Sequence, residues 1–163
     1  MKLTVKEVIL FGIWGALMFL FDLALDILPN VHLVGVLLTV ITVVYRQKAL
    51  YPLYVYVLLT GLLAGFSVWW IPYLYIWTVL WGAVMLIPKD AKPIVYMLVC
   101  AAHGLLFGVL YAPAQALLFG FTFEQTIAWI VAGLPFDAIH CAGNFVGGLL
   151  IRPLVRLLQK KPI

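Results

Sequence analysis

The sequence predicts an all-α integral membrane protein, a compact bundle of six transmembrane helices with both termini in the cytoplasm. Of its 163 residues, 66% are hydrophobic and 10% are charged, and the mean hydropathy is +1.17. A soluble domain carries far more charge than this. The apolar residues form runs of about 20, the length that crosses the hydrocarbon core of a bilayer. These runs and their short connections occupy residues 1–163, which are therefore expected to form a single domain.

The basic residues indicate which ends of the helices face the cytoplasm. All ten Lys and Arg side chains lie at alternate boundaries between the apolar runs: Lys2, Lys6, Arg46, Lys48, Lys89, Lys92, Arg152, Arg156, Lys160 and Lys161. The intervening boundaries, at residues 28–33, 68–72 and 112–125, carry none. Short loops rich in Lys and Arg remain in the cytoplasm, so the number of spans is even and both termini lie inside. This bias also explains the net charge of +4 without nucleic-acid binding.

The apolar runs and their breakers define the expected spans in order. The spans are predicted at residues 8–28, 33–45, 50–68, 71–87, 93–112 and 126–150. The second is short, so either a small tilt or a partly re-entrant course is expected. Residues 113–125 form the longest outer connection and are a candidate lid. Pro135, within the sixth run, predicts a kink or an unwound turn, which a membrane tolerates where the backbone faces protein or a water-filled cavity.

Polar residues within the last two runs are the first candidates for a site. Asp137, His140 and Asn144 have i, i+3, i+7 spacing and share one helix face, and His103 in the fifth run reaches a similar depth. A carboxylate at that depth costs about 2.5 kcal/mol or more if it faces lipid, so this face is expected to point inward. Either an Asp–His pair joins two helices, or these side chains contact a substrate.

Two carboxylates lie near the outer end of the first run. Asp22 and Asp26 are one helical turn apart, where like charges repel unless water or a cation separates them. They are either hydrated at the level of the lipid headgroups or line the outer mouth of a cavity.

An aromatic stripe follows the fourth run. Trp70, Tyr73, Trp77 and Trp81 recur at helical spacing. Trp70 and Tyr73 lie at the depth of the aromatic belt that membrane proteins place at the interface. Trp77 and Trp81 lie deeper, where they either form stacking walls for a flat ligand or pack as core. Tyr73, Trp77 and Trp81 are candidate substrate-binding residues.

Small residues four positions apart permit close helix approach, either within the chain or with another subunit. Such pairs are Gly12 with Ala16, Gly61 with Gly65, and Gly143 with Gly147.

The sequence contains no nucleotide-binding loop of the type G-x-x-x-x-G-K-[ST] and neither of the catalytic motifs H-E-x-x-H and G-x-S-x-G. Its three histidines lie on different segments. We therefore predict no catalytic residues, no metal site and no cofactor.

Several stretches resemble a known family. The sixth run reads G-L-P-F-D-A-I-H-C-A-G-N-F and is followed by L-I-R-P-L-V-R-L-L. With the small-residue pair in the first run, these stretches resemble the S components of energy-coupling factor (ECF) transporters. The stretches L-P-N-V-H, K-A-L-Y-P-L-Y-V-Y-V and W-W-I-P-Y-L-Y-I-W are similar to an uncharacterised S-component group from Gram-positive bacteria.

The resemblance implies a substrate-binding subunit of the bacterial cytoplasmic membrane, which binds a vitamin or similar micronutrient and is not an enzyme. Such a subunit docks on a transmembrane coupling subunit driven by two cytoplasmic ATPase subunits, and is thought to reorient in the membrane to deliver its cargo. The family's site lies near the outer ends of the later helices. The family's A-x-x-x-A docking motif maps onto Gly12 and Ala16, where Gly replaces the first Ala and remains small.

Charge narrows the expected substrate. The outer half of the chain contains no Lys or Arg but does contain carboxylates: Asp22, Asp26, Glu124 and, deeper, Asp137. An anionic substrate would favour a cationic partner. A neutral or cationic aromatic heterocycle, such as thiamin, its pyrimidine precursor or a deazapurine, would stack on Trp77 or Trp81 and bind a carboxylate. The alternatives are a small intramembrane enzyme that uses Asp137 and His140 as acid and base, and a structural subunit of a membrane complex.

Overall fold

The computed structural model describes residues 3–160, and within that range the chain is helical and contains no strand. Eight α-helices follow in order: α1 (Val5–Leu25), α2 (Val34–Tyr45), α3 (Leu50–Ala64), α4 (Tyr73–Leu86), α5 (Pro93–Leu105), α6 (Phe107–Phe119), α7 (Phe123–Gly147) and α8 (Ile151–Gln159). Short 3₁₀ turns, Arg46–Ala49 and Gly148–Leu150, join α2 to α3 and α7 to α8. The predicted all-α class is confirmed.

Four helical stretches of the described chain are long and apolar enough to cross a membrane. They are Val5–Leu25, Val34–Ala64, Pro93–Phe119 and Phe123–Gln159. The helix Tyr73–Leu86 is apolar but shorter. These stretches are those of a membrane protein, as the composition predicted.

The second stretch is folded back on itself. Arg46, between α2 and α3, has a φ of 53°, which a continuous right-handed helix does not allow. His32, just before α2, and Thr60, near the end of α3, line the same cavity. At about 1.5 Å per residue, a straight helix would place them about 42 Å apart. The helices α2 and α3 are therefore two antiparallel arms, which agrees with the separate second and third runs of the sequence.

The outer connection at residues 113–125 is mostly helical, so the predicted long connection between the fifth and sixth spans is wrong. Helix α6 continues through Pro113 to Phe119 and ends at Gly120, whose φ of 68° suits glycine. Thr122 and Gln125 then form a capping box at the start of α7. Only residues 120–122 connect the two helices.

Helix α7 remains helical through Pro135, so the predicted unwound turn in the sixth span is absent. The interruption lies instead in the fifth span, at Leu106 between α5 and α6. Helices α5 and α7 cross closely at Gly104, where a Cβ would lie 3.0 Å from the backbone nitrogen of Cys141. This crossing positions the polar face of α7 against the break.

Helix α2 passes through the centre of the bundle. All of its residues from 34 to 43 are buried. Helix α8 packs against it through Ile151 and Val155, the buried residues of that short helix. The core of this part of the chain is therefore built around α2.

Basic side chains gather at one end of the bundle, which we call the basic end. Lys48 forms an ion pair with Glu7 and joins the turn after α2 to the start of α1. The Arg46 guanidinium donates a 2.6 Å hydrogen bond to the carbonyl of Met85 near the end of α4. Lys6 is next to Glu7, and Lys89 follows the end of α4. Three of the boundaries that carry basic residues in the sequence, at Lys6, Arg46 and Lys89, therefore lie at the basic end.

Helices α1 and α3 approach closely at Gly15. A Cβ there would lie 2.5 Å from Cβ of Val55 and 2.8 Å from the carbonyl oxygen of Pro52, whereas a Cβ at Gly12 would meet nothing within 4 Å. We expect Gly15→Ala to lower stability by about 1–3 kcal/mol, the usual cost of overpacking. The matched Gly12→Ala should leave stability unchanged or raise it by up to about 1 kcal/mol, because alanine is the better helix former. Thermal unfolding of both variants in one detergent tests this, and equal stabilities would contradict the close approach.

Candidate functional site

A cavity of about 380 Å³ opens at the end of the bundle away from the basic end. Its lining includes Asp22 and Asp26 of α1, His32 before α2, Thr60 of α3 and Tyr73 of α4. We call it the acidic cavity because its lining includes two carboxylates and, within the described residues, no Lys or Arg. Both aspartates therefore line a cavity, which is one of the two arrangements that their positions in the sequence allow.

One of these carboxylates is linked to the interior. The Tyr56 hydroxyl donates a 2.9 Å hydrogen bond to Oδ2 of Asp22. Tyr56 is fully buried, and its ring meets the edge of Trp77 with the centroids 5.9 Å apart. Asp26, one turn further out, is exposed. The acidic cavity thus borders directly on the surroundings of Trp77.

Below the acidic cavity, Trp77 lies at the centre of a group of rings. The ring centroids of His32 and His103 are each 5.6 Å from that of Trp77. His140 packs against His32 at 4.3 Å. We call these four residues the imidazole–indole cluster. It unites three histidines from distant segments, although no group of His, Cys, Asp or Glu within residues 3–160 is arranged to hold a metal ion.

The cluster contains nitrogen atoms that are buried and unpaired. Four of them have no hydrogen-bond partner in the described part of the chain: Nδ1 of His32, Nε1 of Trp77, Nδ1 of His103 and Nε2 of His140. Trp77 is 1% exposed, His140 3% and His103 5%. Each unsatisfied buried polar group costs about 1–3 kcal/mol, so proteins rarely retain them without a reason.

A comparison with known protein families, curated proteins and solved structures finds no match for this chain. Function must therefore be inferred from the chemistry of the cluster and of the cavity.

The polar face of α7 has the arrangement that the spacing predicted. Asp137, His140 and Asn144 are the buried residues of this 25-residue helix. The side-chain amide of Asn144 donates a 3.1 Å hydrogen bond to the carbonyl of Cys100 on α5, while its Oδ1 is buried without a partner among the described residues. The shared, inward-facing helix face is confirmed, and it borders the cluster through His140.

Asp137 binds the backbone rather than a histidine. Its two carboxylate oxygens accept the N–H of Gly108 at 3.2 and 3.1 Å. Gly108 lies in the first turn of α6, where N–H groups have no partner within their own helix. A Cβ at Gly108 would lie 2.6 Å from Oδ2 of Asp137, so glycine is needed for this contact. Of the two alternatives for this face, the Asp–His pair is therefore wrong, because the carboxylate caps the interrupted helix.

The aromatic stripe of α4 divides into parts with different surroundings. Trp81 donates its Nε1–H to the carbonyl of Arg46 at 3.1 Å, at the basic end, and Trp70 donates to the carbonyl of Val57 at 2.7 Å. Tyr73 lines the acidic cavity and lies 6.0 Å from Trp77 between ring centroids. Of the two deeper tryptophans, Trp77 joins the candidate site and Trp81 lies away from it.

Residues outside the set predicted from the sequence complete the site. Phe107, at the start of α6, packs against His140 with ring centroids 5.0 Å apart. Gly104 and Gly108 admit the backbone of α7 and the Asp137 carboxylate. The stretch H-G-L-L-F-G, with its glycines four apart beside His103, carried a signal for this contact.

Proposed function

We propose that this protein is the substrate-binding membrane subunit, or S component, of an ECF-type transporter in the bacterial cytoplasmic membrane. It binds a vitamin or related micronutrient, a neutral or cationic aromatic heterocycle such as thiamin, its pyrimidine precursor or a deazapurine. Partner subunits then drive uptake with ATP, and the chain itself is not an enzyme.

The imidazole–indole cluster is the observation that carries this proposal. Its four unpaired nitrogens provide hydrogen-bonding capacity that no described part of the fold uses. His32 belongs both to the cluster and to the lining of the acidic cavity, so a small molecule in that cavity lies next to the cluster. A cavity on which a few polar groups converge is the usual form of a small-molecule site.

The arrangement of helices supports a six-span topology with both termini in the cytoplasm. Six apolar segments follow one another, namely α1, α2, α3, α4, the interrupted pair α5–α6, and α7. The contacts that join Lys48 to Glu7 and Arg46 to Met85 place basic residues at one end, while the acidic cavity lies at the other. With the positive residues inside, the acidic cavity faces outward.

The contacts of Asp137 give less support to the alternative function, an intramembrane enzyme that uses Asp137 and His140 as acid and base, than to a substrate-binding subunit. Both oxygens of Asp137 accept the backbone N–H of Gly108. The described structure contains no hydrogen bond between Asp137 and His140, so the two side chains are not arranged as an acid–base pair.

Native mass spectrometry of the purified protein is the direct test of the proposed cargo. We expect it to retain a neutral or cationic aromatic heterocycle through gentle detergent removal. Retention of an organic anion would contradict the argument from the acidic cavity. Co-purification with a transmembrane subunit and two ATPase subunits would distinguish transport from a solely structural role.

The docking motif is tested at Gly12, which with Ala16 forms a half-buried, small-residue face of α1. A Cβ at Gly12 would meet nothing within 4 Å, so packing within the described chain does not require a small residue there. We expect Gly12→Leu to reduce recovery of the coupling subunit about tenfold, since a bulky side chain prevents close helix approach. Pull-down from membranes that contain all subunits measures this.

Gly82→Leu on α4 is the matched control, because a Cβ at Gly82 also meets nothing within 4 Å. It should leave recovery of the coupling subunit unchanged. Undiminished recovery with Gly12→Leu would remove this face from the docking surface.

A further inference from the structure

We propose that Nε1 of Trp77 and Nδ1 of His103 form a donor–acceptor pair that recognises one edge of a neutral, amino-substituted heteroaromatic ring. The ring reaches this pair from the acidic cavity, past His32. The inference rests on the proposed small-molecule binding and defines the chemistry of the ligand.

A backbone hydrogen bond sets the role of His103. Its Nε2 lies 3.1 Å from the carbonyl oxygen of Ile76. A carbonyl can only accept, so Nε2 carries the proton. In the neutral ring Nδ1 is then the acceptor, and this atom is buried without a partner among the described residues. His103 therefore presents a lone pair that a ligand amino group can satisfy.

Trp77 supplies the complementary group. Its indole Nε1–H can only donate, and it too lacks a partner within residues 3–160. The rings of Trp77 and His103 are adjacent, with centroids 5.6 Å apart and planes inclined by 34°. They stand on α4 and α5, so two helices hold the donor and the acceptor in place. Helices position such groups more accurately than loops do.

The surroundings of the pair favour a neutral ligand. No hydrogen bond or ion pair of the described chain joins a carboxylate to the cluster, since Asp22 accepts from the Tyr56 hydroxyl and Asp137 from the Gly108 N–H. The four cluster residues contribute rings and no carboxylate. A cation without a counter-charge is costly at a buried position. A ring nitrogen beside an exocyclic amino group would instead accept from Trp77 and donate to His103.

His32 separates the pair from the acidic cavity. It lies in the non-helical segment 31–33, directly after Asn30, whose φ is 60°. Its ring is half-buried, lines the cavity and meets the rings of Trp77 and His140 edge-on. Of the four cluster residues His32 alone lines the cavity, so a ligand approaches the unpaired nitrogens past this side chain. His32 is therefore the positioning residue between the acidic cavity and the donor–acceptor pair.

The ligand chemistry is tested with three matched probes: the hydroxymethyl-aminopyrimidine precursor of thiamin, the same ring without its amino group, and the ring-N-methylated pyrimidinium cation. Calorimetry with the full chain in detergent measures each affinity. We expect the aminopyrimidine to bind and the other two to bind about 100-fold more weakly, because each leaves a buried group unpaired or a charge uncompensated. Equal or tighter binding of either analogue would overturn the inference.

The same measurement separates this inference from the proposed function. If the protein retains another small molecule that lacks an adjacent donor and acceptor, small-molecule binding stands and the donor–acceptor pair is excluded. If it retains none and binds no probe, both fail.

Variants test the roles of these residues through the preference for the amino compound, which is the ratio of its affinity to that of the analogue without the amino group. A loss of stability affects both affinities alike and leaves this ratio unchanged. His103→Phe should bring the preference for the amino compound close to one, because the acceptor for the amino group is gone. Trp81→Phe, which alters a tryptophan bound to the carbonyl of Arg46 at the basic end, should preserve the preference.

Nitrogen-15 NMR of labelled histidines provides an independent measurement. The Nδ1 resonance of His103 should be that of an unprotonated nitrogen and should shift when ligand binds. A protonated Nδ1 would contradict the assignment.

Discussion

Trp77→Phe should leave the ligand-free protein at least as stable as the native chain, while weakening ligand binding at least tenfold. The indole N–H of Trp77 is buried and has no partner in the described structure, and removing it recovers about 1–3 kcal/mol of desolvation. The smaller ring leaves a void that costs about 1 kcal/mol. The two effects offset each other in stability, whereas the loss of a ligand hydrogen bond has no compensation.

Trp81→Phe makes the same chemical change where the N–H is used. Trp81 donates to the carbonyl of Arg46, so its replacement loses that bond as well as volume. We expect Trp81→Phe to be about 1–3 kcal/mol less stable than the native chain and to bind ligand with unchanged affinity. Thermal unfolding and calorimetry on both variants give the comparison. If Trp77→Phe is the less stable of the two and binds ligand normally, Trp77 is a core residue only.

Asp137→Ala should weaken ligand binding about tenfold, and Asp137→Asn should retain most of the affinity. Both carboxylate oxygens accept the Gly108 N–H, which ties α7 to the start of α6 beneath the cluster. Alanine leaves that N–H unsatisfied, at a cost of about 1–2 kcal/mol typical of a lost helix cap. Phe107, which packs against His140, then loses its fixed position. Asparagine keeps an oxygen that accepts the same bond.

The Asn variant distinguishes a cap from a charged ligand contact. If Asp137 bound a cationic ligand directly, Asp137→Asn would lose affinity as severely as Asp137→Ala. Gly108→Ala provides a second comparison, because its Cβ would lie 2.6 Å from Oδ2 of Asp137 and would displace the carboxylate. It should reproduce the effect of Asp137→Ala. Ligand affinity and thermal stability of the three variants are the measurements.

The features that could be predicted from the sequence depend on spacing along one helix. The inward face of Asp137, His140 and Asn144 follows from helical periodicity and from the cost of placing polar groups against lipid. The helical class follows from composition in the same way. Both are properties of a single segment and require no knowledge of its neighbours.

The features that could not be predicted from the sequence depend on contacts between segments. Trp77 and Trp81 are equivalent in the stripe, and only the carbonyl of Arg46 on another element distinguishes their nitrogens. No proline marks the break at Leu106 in the sequence. The break is stabilised by the Asp137 carboxylate from α7, which accepts the free N–H of Gly108. Pro113 suggested a loop where a helix continues. The meeting of three histidines required the tertiary structure.

Burial is distributed very unevenly between α2 and α7. Residues 34–43 of α2 are all enclosed, whereas in α7 the buried positions are Asp137, His140 and Asn144. Substitutions in α2 must therefore preserve volume on every side, while most of α7 accepts any apolar residue. Among natural relatives, α2 should diverge slowly throughout. Helix α7 should vary freely around three fixed polar positions, and changes at those three would accompany a change of cargo.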